Sequence, residues 1–300
     1  MIYDLIIIGL GAAGMNASLY YKRSGLNILV LESEIPGGLL NKTDKIQNFP
    51  GIKEISGPDL AGNLFEQFST LNVPLKISHV NEIVLDGDIK KVKTNNDEYK
   101  SKTVIIASGR KPRKLNAIGE KDLIGKGISY CHLCDGNLYK NKITAVIGGG
   151  NSAVSGALYL SNICKKVYLI VRKDYLKAED VYQLELENKN NIEILYNTEV
   201  KKIVEKGGVV NKVILNNGDL AIDGLFVNIG YEPANDFYKK LGISNENGFI
   251  EVDKNMQTSV SGIFAAGDII EKDVYQIITA QSEGAIAAIS AYNYINYTKE

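Results

Sequence analysis

A short apolar run that breaks into a glycine-rich turn occurs twice in this chain, and that repeat constrains the fold more than any other feature. Residues 5–14 read LIIIGLGAAG and residues 144–153 read TAVIGGGNSA. Each turn is followed by a helix-compatible stretch and then by a second apolar run, at 27–31 and at 166–171. This is the order of a βαβ unit, in which a buried strand feeds a crossover helix that returns to a parallel strand. Two such units predict an α/β protein with two Rossmann-like, three-layer dinucleotide-binding domains. Further strands are expected at 103–107, 224–230 and 262–265. Antiparallel strands are expected at 76–85, 90–94, 192–196 and 209–215, where alternation and β-branched content favour a half-buried sheet. An Ala-rich helix is expected over 278–295.

The first turn, Gly9-Leu10-Gly11-Ala12-Ala13-Gly14, fits G-x-G-x-x-G. The first glycine permits a tight turn, the second leaves room for a pyrophosphate, and the third lets the helix pack close to the strand. The helix N-terminus then offers N–H groups to phosphate oxygens. Glu32 stands 21 residues after Gly11, where a carboxylate can accept from the ribose hydroxyls of an adenosine. The second turn, Gly148-Gly149-Gly150-Asn151-Ser152-Ala153, fits G-x-G-x-x-A. The strand after its helix runs into Arg172-Lys173, with Lys177 four residues on. Such a cluster suits a 2′-phosphate and hence NADP; the other reading is a solvated basic loop.

Cys131-His132-Leu133-Cys134-Asp135-Gly136 lies just before the second βαβ unit. The spacing allows a disulfide across one turn. In such motifs a thiol pKa can fall from ~8.5 toward 7 or below, which generates the attacking thiolate. Asp135 is placed to hand over a proton. Two other readings exist. Half of a zinc site would need two more ligands, and only His132, His79 and Cys164 are available. His132, between the thiols, is poorly placed to join them. The other is a pair of buried structural thiols. Redox chemistry is the preferred reading, no metal is expected, and Cys164 is read as a core residue.

Composition narrows the classes. A chain of 300 residues, 45% hydrophobic and 23% charged, has the profile of a globular protein of about two domains. A net charge of -1 removes the electrostatic argument for nucleic acid or an anionic membrane as partner. Three cysteines do not make a secreted disulfide scaffold. No apolar stretch approaches the ~18 residues of a membrane span, and no basic segment precedes residues 5–8, so the cytoplasm is the expected location.

With these motifs in this order, the chain resembles the low-molecular-weight thioredoxin reductase family over essentially its whole length. Further matching motifs are Pro36-Gly37-Gly38, Asn48-Phe49-Pro50-Gly51, Gly230 with Pro233 and Asn235, and Ala265-Ala266-Gly267-Asp268. The resemblance implies a discontinuous FAD-binding domain at 1–114 and 246–300. An NAD(P)H-binding-like domain at 115–245, carrying the Cys-x-x-Cys, is inserted in it. It implies FAD on Gly9, Gly11, Ala13 and Gly14, with Glu32 on the ribose. Gly37, Gly38, Asn48, Ala107 and Gly109 would line the cofactor. Gly267 and Asp268 would meet the ribityl chain, and the helix beginning near Gln276 and Ile277 would point its N-terminus at the flavin ring, where a helix dipole favours negative charge. A second nucleotide site would use Gly148, Gly150, Asn151, Ser152, Ala153, Arg172, Lys173 and Lys177. The implied activity passes electrons from NADPH to FAD, to the Cys131–Cys134 disulfide, to thioredoxin, in a homodimer. Cys131, Cys134 and Asp135 are its catalytic residues.

Four positions depart from the family pattern. The usual His-Arg-Arg-x-x-x-Arg reads Val171-Arg172-Lys173-Asp174-Tyr175-Leu176-Lys177 here, and Lys lacks the guanidinium fork. Ser155-Gly156 stands where a Glu-Glu pair is usual, Tyr275 where an Arg precedes Gln276, and Leu39 where a Gln follows the paired glycines. A related branch takes electrons from ferredoxin and has lost pyridine nucleotide binding; there an aromatic ring can cover the flavin. Tyr275, Tyr292, Tyr294 and Tyr297 are the aromatic residues at hand, with ordinary packing as their other reading. The donor therefore stays open between NADPH and ferredoxin. A non-catalytic flavin and dithiol sensor is a different class that stays open; a ferredoxin–NADP reductase-like enzyme of the same fold is less favoured, because it would not need Cys131 and Cys134.

Overall fold

The computed structural model describes residues 1–297 except 44 and 235, so Asn235 of the motifs above lies outside the described residues. The chain forms two compact units, Met1–Lys111 with Pro233–Glu300, and Pro112–Glu232. Both cuts fall immediately before a proline, which disfavours helix in the residue before it and leaves an extended crossover. The described α-helices are Ala12–Lys22 (α1), Gly57–Ser69 (α2), Glu120–Leu123 (α3), His132–Asp135 (α4), Asn151–Ser161 (α5), Asp180–Glu187 (α6) and Ile277–Tyr297 (α7).

In the first unit, Ile2–Ile8 is the central strand. It pairs in parallel with Ile28–Glu32 on one side and with Glu98–Ile106 on the other. Leu75–Ile77 extends the sheet beyond Ile28–Glu32. Glu98–Ile106 is long enough to serve two partners along its far edge: Ile89–Thr94, antiparallel, and Ile263–Ala265, parallel. Leu5 to Ile8 are all buried, as a strand covered on both faces requires. The alternation of side chains sorts them into layers. Leu5 and Ile7 pack with α1 and α7, while Ile6 and Ile8 pack with Val80, Ile83, Val92 and the segment from Phe237 to Ile270.

The second unit repeats the plan. Ile143–Ile147 is central, with Lys166–Ile170 and then Ile192–Leu195 on one side and Gly224–Val227 and then Ile128–Ser129 on the other, all parallel. Val200–Lys206, Val209–Leu215 and Gly218–Ala221 form a separate antiparallel sheet.

Two strand expectations change. Alternation over 192–196 predicts an antiparallel strand, but Ile192–Leu195 pairs in parallel with Lys166–Ile170. The pattern over 76–85 predicts one antiparallel strand. They divide into Leu75–Ile77, parallel to Ile28–Glu32, and Val80–Asp86, antiparallel to Ile89–Thr94. Alternation reports that one face is buried; it carries no information about the direction of the partner.

Candidate active site

In both units the central strand has its neighbours on opposite sides, so the chain leaves its carboxyl end in two directions and opens a crevice there. In the first unit the expected cofactor residues gather at that end. Gly9 follows Ile2–Ile8, Glu32 ends Ile28–Glu32, Ala107 and Gly109 follow Glu98–Ile106, and Gly267 follows Ile263–Ala265. Gly9 has a φ of 100°, and a Cβ there would lie 2.4 Å from the Ala107 carbonyl oxygen. A Cβ on Gly14 would lie 2.0 Å from the Gly9 carbonyl oxygen. Gly11 differs: only the Gly37 carbonyl oxygen, at 4.0 Å, approaches the place of its Cβ. No side chain caps α1. The turn therefore presents helix N–H groups to open space, as a pyrophosphate needs.

Glu32 is buried and held by backbone N–H groups. Leu10 N donates to Oε2 at 2.6 Å, and Ser33 N and Glu34 N donate to Oε1 at 2.7 and 2.9 Å. A carboxylate offers about four acceptor sites, which leaves capacity for a ribose hydroxyl. Gly37 N donates to the Leu10 carbonyl at 2.9 Å, which lays Gly37 and Gly38 along the glycine turn. Ala13 is buried, 2.8 Å from where a Cβ on Gly267 would stand. Asn48 Nδ2 donates to Gln276 Oε1 at 3.0 Å, just before α7 begins at Ile277. An open glycine cradle, an uncapped helix and a braced carboxylate on one sheet edge fit FAD.

Asp268 sits in a charged network that sequence reading missed. Arg110 donates to its Oδ2 from Nη2 at 2.9 Å and from Nε at 3.2 Å. The guanidinium lies 4.0 Å from the centroid of the Tyr275 ring, a cation–π contact. Lys272 Nζ donates to both Glu283 oxygens at 3.0 and 2.7 Å, and Gly267 N donates to Glu283 Oε2 at 2.9 Å. Burial pushes the Glu283 carboxyl up, and the Lys272 ammonium pulls it back only in part. Burial likewise raises the Tyr275 phenol. Arg110 and Asp268 are 158 residues apart, and no local pattern joins them. Of the tail tyrosines, Tyr292 and Tyr294 pack against the core, and the Tyr294 ring meets Phe264 edge-on at 6.3 Å.

In the second unit Cys131 and Cys134 form a disulfide with Cα atoms 5.3 Å apart. Cys131 is buried and Cys134 exposed. The turn is stitched locally: Cys134 N donates to Cys131 Sγ at 3.1 Å, Cys131 N to Ser129 Oγ at 3.0 Å, and Asp135 N to the Cys131 carbonyl at 3.2 Å. Asp135 is half-buried at the end of the same helical turn. Cys164 is buried apart from the pair, and burial pushes its thiol up, which suits a core residue. Among the described residues no group of three or more His, Cys, Asp or Glu could hold a metal ion.

The second glycine turn has the shape of the first. Gly148 has a φ of 137°, and a Cβ there would lie 2.1 Å from the Asn228 carbonyl oxygen. No heavy atom lies within 4 Å of where a Gly150 Cβ would stand, and no side chain caps α5. Asn151, Ser152 and Ala153 are its first turn. Asn228 Nδ2 donates to the Ser152 carbonyl at 3.1 Å, and Tyr130, Ser152, Asn228 and Gly230 line a small pocket there. Arg172, Lys173 and Lys177 are all exposed. Lys173 Nζ donates to Tyr175 Oη at 2.6 Å and lowers that phenol. Asn151 Nδ2 donates to Glu179 Oε1 at 2.7 Å, which brings a carboxylate to the mouth of the turn.

Residues 3–284 match the family described as pyridine nucleotide-disulphide oxidoreductase. A thioredoxin reductase of Ureaplasma parvum is 46% identical, over 98% of this chain and 97% of the relative. The crystal structure of Lactococcus lactis thioredoxin reductase, in its FR conformation, is 38% identical, covers 98% of this chain and 99% of that one, and superposes with a TM-score of 0.93. A ferredoxin-flavin thioredoxin reductase from Clostridium acetobutylicum is 31% identical, covers 100% and 99%, and has a TM-score of 0.57.

Proposed function

The chain belongs to the pyridine nucleotide-disulphide oxidoreductase family, and on that premise we propose that it is a thioredoxin reductase. The observation that carries the reading is the Cys131–Cys134 disulfide, formed on a turn just ahead of the second glycine turn, with Cys134 exposed. FAD, when bound, supplies a two-electron relay between a donor and a disulfide. Gly11 and the N-terminus of α1 hold its pyrophosphate, and Glu32 accepts from its ribose. Gly37, Gly38, Asn48, Ala107, Gly109, Asp268, Gln276 and Ile277 line the remainder.

Two electrons and two protons convert the Cys131–Cys134 disulfide to a dithiol, and Asp135, next to Cys134, delivers a proton. One thiolate then attacks the thioredoxin disulfide and forms a mixed disulfide. The second attacks in turn, restores Cys131–Cys134 and releases thioredoxin as a dithiol. The two electrons and two protons leave on thioredoxin, so the cycle closes.

For the donor we favour NADPH. Gly148, Gly150 and the uncapped N-terminus of α5 keep a dinucleotide-binding shape, and Arg172, Lys173 and Lys177 supply positive charge for a 2′-phosphate. The test is an anaerobic titration of the FAD-loaded protein with NADPH and, separately, NADH, following flavin absorbance. Bleaching by NADPH alone, followed by turnover of thioredoxin, supports the reading. If neither nucleotide bleaches the flavin while ferredoxin-reduced protein still reduces thioredoxin, the donor is a protein. If the pre-reduced protein leaves thioredoxin oxidised, the chain is a sensor.

The assembly belongs to the same proposal. Ile278, Ile286 and Ile289 are exposed along one face of α7, and a homodimer would cover them. Light scattering that returns a monomer would remove that element alone.

A further inference from the structure

The turn that carries the two cysteines cannot hold itself in place. The helix α4 has four residues and none of them is buried, and one isolated turn does not repay its nucleation cost. Its position is therefore set by the disulfide and by what it packs on. The packing partner is α5. A Cβ on Gly136 would lie 3.0 Å from the Tyr159 ring and 3.1 Å from Leu160 Cδ2, so the backbone just after Asp135 presses against that helix. The His132 ring lies beside Tyr159, with centroids 5.7 Å apart. A Cβ on Gly156 would lie 2.9 Å from both Asn228 Nδ2 and His132 Nδ1, and 3.3 Å from the His132 Cε1. Gly156, Tyr159 and Leu160 fall at i, i+3 and i+4, one stripe of α5. The imidazole occupies the notch that the missing Gly156 side chain leaves.

We propose that His132 is a positioning residue of the dithiol: keyed into the notch at Gly156, it holds the Cys131–Cys134 turn on α5 in both oxidation states and thereby lowers the reduction potential of the couple. The physical reason is effective concentration. Once the S–S bond opens, the thiols stay close only as far as the turn stays docked, and a docked turn favours re-formation of the disulfide. Releasing the turn spreads the thiols and makes the disulfide easier to reduce. Gly156 and His132 are a matched pair here: any side chain at 156 would have its Cβ 2.9 Å from the imidazole Nδ1. The inference rests on the reading that Cys131–Cys134 is the redox couple.

The test is the reduction potential of Cys131–Cys134 in the full-length, FAD-loaded protein. The protein is equilibrated with mixtures of reduced and oxidised dithiothreitol and trapped by alkylation, and the modified cysteines are counted by mass spectrometry. His132→Ala is expected to shift the equilibrium about tenfold toward the dithiol, which is about 30 mV upward for a two-electron couple. Gly156→Ala should act in the same direction, because its methyl group crowds the imidazole, and with it the Asn228 amide, while leaving a better helix former in α5. The double variant should add nothing to His132→Ala. A potential within twofold of the parent in His132→Ala would overturn the proposal, even with a lowered melting temperature, and so would fully additive single shifts. His132→Ser, which also removes the ring from α5, is judged by the same criterion if His132→Ala fails to fold. Unchanged potentials with intact thioredoxin turnover sink only the role of His132. A couple that thioredoxin does not oxidise sinks the reading of the function itself.

Discussion

Lys90 is only 2% exposed, with its ammonium 3.1 Å from the Asp88 carbonyl oxygen and 5.5 Å from the centroid of the Tyr294 ring. Burial lowers its pKa, and the Asp88 carboxylate offsets this only in part. A lysine whose folded pKa is depressed adds stability above its unfolded value, about 10.4, and loses it as pH falls through the folded one. Below the folded value the charge is carried in both states and the burial cost is complete. Lys90→Met is therefore expected to stabilise the protein by about 1 kcal/mol at pH 7, with the gain narrowing as pH approaches that of the free amine. Urea unfolding at pH 7 and pH 10 checks it, and a gain that grows with pH would contradict it. Asp135 is tested at the same scale. Asp135→Asn should leave FAD bound and slow the dithiol steps by about 10²-fold, read by stopped-flow. Unchanged rates would remove Asp135 from proton delivery. The candidacy of Cys131, Cys134 and Asp135 was visible because their chemistry is contained in five consecutive positions. Arg110 and Lys272 were not, because their partners are chosen by the fold.

Two elements carry their own predictions. α7 lies against α1 through small residues, and a Cβ on Gly284 would stand 2.2 Å from the Ala13 carbonyl oxygen. The obstacle is backbone, so the helices must separate rather than a side chain turn aside. Gly284→Ala is expected to cost about 1–3 kcal/mol, read as a lower urea midpoint, and to weaken FAD binding, because Ala13 belongs to the cofactor turn. A variant of parental stability would show that α7 can shift without consequence. The loop after Lys166–Ile170 is the other element. Replacing Arg172, Lys173 and Lys177 with Gln should raise the KM for NADPH at least tenfold with little change in kcat, since a remote phosphate contact is kept through the reaction. The same KM in parent and variant would leave the cluster a solvated loop.

At the scale of the whole molecule, the two units have separate cores and each is expected to take its own ligand. FAD is expected to sit on the first unit alone, and a ligand that binds only the native state stabilises by mass action. Removing FAD should lower a melting transition belonging to the first unit and leave one belonging to the second nearly where it was. Calorimetry of holo- and apo-protein, with proteolysis to identify the unit that opens first, checks this. A single transition that shifts as a whole would mean that the units unfold together.

The amino-acid sequence by itself determined what is decided within a few residues. It placed both glycine turns, the acid after the first, the Cys-x-x-Cys-Asp and the α/β class, because turn geometry, helix starts and thiol spacing are local matters. Tertiary structure decided the rest: that Ile192–Leu195 runs parallel, that 76–85 divides between two partners, that Arg110 holds Asp268 and stacks on Tyr275, and that His132 fits the notch at Gly156. Each of these is a choice of partner among distant segments. An alternating strand fits a parallel or an antiparallel neighbour, and an arginine fits any accessible carboxylate. What selects among them is the packing of the folded chain, which brings together residues that no local pattern relates.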